Sequence, residues 1–228
     1  GVIKGFLGIG LPAAVMALLT LVMEPTVAIS LLTLPIIFTN IFQFTRSPSP
    51  SMIGKKYWLF GISIMSSIFI TSLFILSYPT ELLTVSIGFA MVAFSMTQMF
   101  GANIPIGPGR KWHVIVGLFS GTLGGLSSIW SPPVAMYLLT QNVSKDEFIG
   151  ATGFLFLAGS IPLASGLALA GVLTIETMLH SLMGLFVVLA GFRIGEWLRT
   201  SVPQDLFRRF VLWAFLIMGA RLIAVGLI

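Results

Sequence analysis

Apolar residues run in blocks of about twenty along this chain, and polar residues gather in the short gaps between them. Broken at charged residues and at Pro/Gly, the blocks fall at 1–23, 26–45, 57–77, 81–100, 112–141, 147–170, 175–197 and 206–228. About 20 apolar residues in a helix span the hydrocarbon core of a bilayer, so the pattern predicts an all-α polytopic integral membrane protein. The longest polar gaps, Arg46 to Lys56 and Arg199 to Gln204, leave no room for a soluble domain.

The chain also repeats itself. Gly1-x3-Gly5-x2-Gly8 recurs as Gly117-x3-Gly121-x2-Gly124 at an offset of 116, and Pro12…Met16-Ala17-Leu18-Leu19-Thr20 recurs as Pro132…Met136-Tyr137-Leu138-Leu139-Thr140 at an offset of 120. One four-residue insertion therefore separates the copies. Pro79-Thr80-Glu81 matches Pro203-Gln204-Asp205 loosely. The organisation expected is a first transmembrane repeat over 1–100, a linker over 101–111 and a second repeat over 112–228.

Basic residues decide how the blocks cross, because cytoplasmic loops carry excess Lys and Arg. If all eight blocks cross, Arg46, Lys55, Lys56, Arg110 and Lys111 fall on one side and Lys145, Arg193, Arg199, Arg208 and Arg209 on the other, which is no bias. If 112–141 enters and returns, all ten share one face, and Glu24, Glu81 and Glu176 take the other. The re-entrant reading wins, and it makes loops 46–56, 101–111, 142–146 and 199–209 cytoplasmic in a bacterial inner membrane. By repetition 1–23 is re-entrant too. Each half is then a broken helical hairpin plus three crossings, an odd number that inverts the second copy relative to the first. Helices over 112–123 and 133–141 would rise about 18 and 13 Å, each near half of the core thickness.

At the expected hairpin tips the sequence turns to helix breakers: Gly8-Ile9-Gly10-Leu11-Pro12 and Gly124-Gly125-Leu126-Ser127-Ser128-Ile129-Trp130-Ser131-Pro132-Pro133. Two helix starts converging from opposite sides would aim unpaired N–H groups at an anion. Ser127, Ser128 and Ser131 add hydroxyl donors, and Trp130 either gates the site or simply packs. Asn40 and Ser160, related by the offset of 120, either bond the substrate or bridge helices. Gly1-x3-Gly5 and Gly117-x3-Gly121 read instead as close helix packing. Lys4, deep in the first hairpin where Ser120 stands in the second, is a functional candidate because an ammonium is costly there. Arg221 pairs with a backbone carbonyl or reaches the outer surface, and Arg193 with Glu196 reads as a solvated helix-end pair.

Composition narrows the chemistry. The chain is 57% hydrophobic and 8% charged, with a mean hydropathy of +1.05. Its net charge of +5 sits at the ends of apolar blocks rather than on one polar surface, which argues against nucleic acid. There is no cysteine, and His113 and His180 are the only histidines, so metal transport is disfavoured and no cofactor is expected. The first residue is Gly1 rather than Met, so the first block is expected to begin upstream.

These motifs resemble the sulfite exporter TauE/SafE family, also called the 4-toluene sulfonate uptake permease family, whose repeated signature is G-x3-G-x2-G-x-G-G-G followed by Pro and an apolar run. Gly1, Gly5, Gly8, Gly10 and Pro12 match the first copy; Gly117, Gly121, Gly124, Pro132, Pro133, Tyr137, Leu138 and Leu139 match the second. The chain departs from the signature at Leu11 and Pro12, where glycines are usual, and at Ser131, where the family has Gly before the Pro pair. The resemblance implies export of sulfite, sulfoacetate or a related organosulfonate, with room for a coupling proton. Two other classes compete. An intramembrane serine hydrolase would use Ser127 in Gly125-Leu126-Ser127-Ser128 with His180, although Ser128 stands where G-x-S-x-G needs glycine. A non-transporting membrane scaffold would need neither tip.

Overall fold

The computed structural model describes residues 1–7, 10–100, 107, 109–201 and 204–227. Among them the chain forms α1 (Val2–Leu7), α2 (Leu11–Leu19), α3 (Pro25–Thr45), α4 (Pro50–Leu73), α5 (Thr80–Phe100), α6 (Arg110–Ser127), α7 (Ser131–Thr140), α8 (Lys145–Leu169), α9 (Ile175–Ser201) and α10 (Gln204–Gly226), with one 3-10 turn and no strand. Six helices, α3 to α5 and α8 to α10, are long and apolar enough to cross a membrane. Prolines open α2, α3, α4 and α7, where the first turn has no use for their missing N–H. Ser144 caps α8 by accepting the Glu147 amide.

The outside of the bundle is apolar. Val22, Ile175 and Val187 are 78%, 81% and 73% exposed, and apolar surface on that scale belongs in lipid. The chain is an integral membrane protein built as a polytopic helical bundle.

Contacts at one end of the bundle show how the second hairpin runs. The Tyr57 hydroxyl at the start of α4 donates to Glu147 at the start of α8 (2.7 Å), and Lys56 bonds the same carboxylate. His113, in the first turn of α6, lies against Tyr57 and Phe60 of α4 and against Tyr137 near the end of α7. The hairpin α6–α7 thus enters and leaves at one end, the end that also carries the α3–α4 connection. The first hairpin feeds into α3 at Pro25, the opposite end of that helix.

The main helix pairings recur when the halves are exchanged. α1 lies on α9 as α6 lies on α4; α3 packs on α9 as α8 packs on α4; α2 meets α3 as α7 meets α8; and α3–α8 and α5–α10 pair across the halves. Glycines make the two hairpin crossings close. A Cβ on Gly5 would strike the Phe192 carbonyl of α9, and one on Gly121 would lie 2.7 Å from the Ile64 carbonyl of α4, so both small-residue motifs serve packing.

The tip of the second hairpin is displaced from its expected place. α6 runs on through Gly124 and Gly125 to Ser127, longer than the 112–123 limb expected, and the break comes at Ser128–Trp130. These two glycines are spacing residues rather than breakers: a Cβ on Gly125 would collide with the Thr71 hydroxyl, and one on Gly124 would sit 2.9 Å from Trp130. The chain turns instead at Ser128, whose φ of 59° is left-handed.

Candidate functional site

The two tips meet around a small chamber. Its walls include three pairs of repeat partners at the offset of 120: Gly10 with Trp130, Leu11 with Ser131, and Ile36 with Phe156. Lys4, Pro12, Asn40 and Ser128 complete it without their counterparts. The chamber therefore lies where the halves face each other, and its polar groups are distributed unequally between them. Trp130 stands edge-on to Phe156 with ring centroids 5.9 Å apart. Its indole fills the space a Cβ on Gly159 would take, 12 residues along α8 from Glu147, a rise of about 18 Å.

Lys4 is 4% exposed, and its Nζ donates to Asn40 Oδ1 at 2.7 Å and to Thr39 Oγ1 at 2.9 Å. Both acceptors are neutral, and among the described residues no carboxylate pairs with it; the ion pair there joins Lys56 and Glu147. When protonated, the amine carries three donors, which leaves one for a further acceptor. Thr39 is held for this contact by its own bond to the Pro35 carbonyl (2.6 Å).

The other side of the chamber also offers donors. Ser128 Oγ, Trp130 Nε1 and Ser131 Oγ are buried and have no hydrogen-bond partner. A buried donor left unmatched costs about 1–3 kcal/mol, so three around one cavity mark a place for an acceptor. The helix starts contribute less evenly than expected. Pro12 removes one backbone amide from the first turn of α2, while Pro132 and Pro133 remove two from α7.

Not all of the expected site residues face the chamber. Gly8 lies outside the described residues. Gly10, Leu11, Pro12, Asn40, Ser128, Trp130, Ser131 and Lys4 line it. Gly125 packs on α4 instead. Ser127 stitches the tip together, donating to the Leu123 carbonyl (2.6 Å) and accepting the Ile129 amide (3.0 Å). Ser160 donates to the Leu157 carbonyl of its own helix (2.9 Å), and Pro132 is buried in the first turn of α7. Ile36, Phe156 and the Lys4 partner Thr39 were not expected. The offset of 120 points to Ile36 and Phe156 once Asn40 and Ser160 are in view, whereas nothing in the sequence marks Thr39.

Catalysis through Ser127 and His180 finds no geometry here, because Ser127 is fully buried and committed to the tip while His180 is exposed on α9. Arg221 is exposed on α10, and Arg193 is exposed on α9; the side chain of Glu196 lies outside the described residues. No group of metal-ligating side chains occurs among the described residues.

Comparison with curated proteins and with solved structures gives no match. A family model described as Sulfite exporter TauE/SafE matches residues 1–222, a span that contains both hairpins, the donor-lined chamber between them, five of the six long apolar helices and all but the last turn of the sixth. The chain belongs to the sulfite exporter TauE/SafE family and is a membrane transporter of sulfur-containing anions.

Proposed function

We propose that the protein exports sulfite, sulfoacetate or a related organosulfonate from the bacterial cytoplasm, holding the anion in the chamber between the two hairpin tips. The observation that carries this reading is the polarity of the chamber: the buried Lys4 amino group, with only neutral partners, faces three unmatched donors. An isolated buried charge costs several kcal/mol, and an oxyanion supplies the missing counter-charge and the missing acceptors together. Sulfonate and sulfite each present three oxygens, enough to take Lys4 from one half and Ser128, Trp130 and Ser131 from the other.

The chamber has a volume of only ≈ 20 Å³, about that of one water, and a sulfur oxyanion is larger. It has to widen to load and to release, which fits alternating access by two inverted halves rocking about the anion. Inversion is supported by the hairpins joining the bundle at opposite ends and by helix pairings that recur on exchange of the halves. Residues 46–56, 101–111, 142–146 and 199–209, sequence-expected loops that include helix ends of α4, α6, α8, α9 and α10, face the cytoplasm in this reading, because they carry the Lys and Arg excess. Export against a gradient would be driven by a coupled proton.

Flux of labelled sulfite and organosulfonates in proteoliposomes, with and without an imposed pH gradient, tests the reading. Saturable flux of at least one such anion, accelerated by the gradient, is expected; an oriented preparation that moves none of them refutes it.

A further inference from the structure

A groove of ≈ 340 Å³ lies between α3 and α9, lined by Phe38, Thr39, Phe42, Leu189, Phe192 and Arg193. Thr39 belongs to this groove and accepts the hydrogen bond of Lys4, which lines the chamber, so the Thr39–Lys4 contact links the groove wall to the chamber wall. The seam is fastened differently along its length. At one level Pro35, which has no N–H, leaves the Leu31 carbonyl without its helical donor. Ser181 of α9 donates to that carbonyl at 2.9 Å and accepts the Leu34 amide at 3.1 Å, a two-bond pivot at a proline break. At the other level α1 rides on α9 through Gly1 and Gly5, carrying Lys4 with it, and Lys4 grips Thr39 and Asn40 of α3. The groove lies beside that grip; Arg193 lines it, and the Arg46 guanidinium sits 3.6 Å from the centroid of Phe42, another lining residue.

The equivalent seam in the other half is built without a latch. α4 and α8 also enclose a groove, lined by Met65, Phe69, Ile161 and Ser165 among others, with no charged residue. The counterpart of Thr39 is Gly159, whose side-chain space is taken by Ile68 and Trp130. An apolar wall therefore stands where the first half has a hydrogen bond.

We infer that the α3–α9 groove is the access site for the anion, and that the Lys4–Thr39/Asn40 grip is the latch that closes it, released by α1 and α9 swinging about Ser181 and Pro35. An oxyanion waiting beside Arg193 is a better acceptor for the ammonium than a neutral hydroxyl or amide, so the substrate itself loosens the latch. This assignment rests on the chamber being the transport site.

The chain has no native cysteine, so single cysteines report access cleanly. In freeze–thaw-opened proteoliposomes, Leu189→Cys (groove), Ile161→Cys (opposite groove) and Ile36→Cys (chamber) would be reacted with (2-sulfonatoethyl) methanethiosulfonate, a membrane-impermeant sulfonate, and modification followed by intact mass. Leu189→Cys is expected to react at least tenfold faster than Ile161→Cys. Ile36→Cys is expected to react slowly, then at least fivefold faster when Thr39→Val removes the latch acceptor at nearly constant volume, while Thr39→Ser restores the slow rate. Should Thr39→Val not fold, Asn40→Leu removes the other acceptor and gives the same reading. Leu189→Cys reacting only with uncharged ethyl methanethiosulfonate would make the groove a lipid crevice and overturn the assignment, as would an unchanged Ile36→Cys rate. Labelling needs no substrate. Anion flux without these rates therefore sinks the door alone, and the expected rates without any anion flux sink the transport reading while leaving the latch in place.

Discussion

The two hairpins are copies in architecture and opposites in chemistry. Each is a broken helix laid against a partner of the facing half through glycines, α1 on α9 and α6 on α4. Yet the first contributes an amine, Lys4, and loses one first-turn amide to proline; the second places Ser120 at the Lys4 position, loses two amides to Pro132 and Pro133, and presents hydroxyl and indole donors instead. A site made of one point charge and several weaker dipoles can hold a doubly or singly charged oxyanion without the cost of two buried cations.

The sharpest way to break this comparison is to make the first half resemble the second. Lys4→Ser, or Lys4→Gln with less loss of volume, should lower anion flux by at least ~100-fold, since losing one member of a buried charged hydrogen-bonded pair costs about 2–5 kcal/mol. Initial rates in proteoliposomes measure it, and melting in detergent should hold or rise because an uncompensated charge has gone. Next come the glycine crossings, where the halves ought to behave alike. Gly5→Leu and Gly121→Leu should each lower stability by about 1–3 kcal/mol through overpacking, read as loss of melting temperature and of folded yield; a large effect in only one half would mean the crossings are not equivalent. Ser131→Ala probes the donor side and should weaken anion affinity about tenfold, the value of one hydrogen bond to a charge, with melting unchanged. The smallest effect belongs to Ser160→Ala, below about 0.5 kcal/mol in stability and without change in flux, because that hydroxyl serves its own helix. Its repeat partner Asn40 receives the Lys4 ammonium, so the contrast between the two positions measures how far the halves have diverged.

Much of the fold was legible because lipid imposes simple rules. Block length marks the crossings, most basic residues gather near helix ends rather than in the loops themselves, and a repeated Gly/Pro signature marks the hairpins. The three apolar blocks after each hairpin are the six crossings found. What stayed illegible depends on neighbours distant in sequence. Gly124 and Gly125 look like breakers, but the helix continues through them because Thr71, Ile68 and Trp130 need the space. Ser127 and Ser128 are adjacent and equally polar, yet one is consumed by the tip's own backbone and the other is left facing the chamber. The importance of Lys4 could not be weighed from its position near the start of the chain, because its acceptors lie on a different helix, 35 and 36 residues away.

Equilibrium binding of labelled sulfite to the purified protein, wild type against Lys4→Gln, addresses the chamber most directly. Saturable binding to the wild type that weakens at least ~100-fold in Lys4→Gln, about 3 kcal/mol, is the predicted result. Equal affinity in the two proteins, both folded, would place the anion elsewhere and contradict the account.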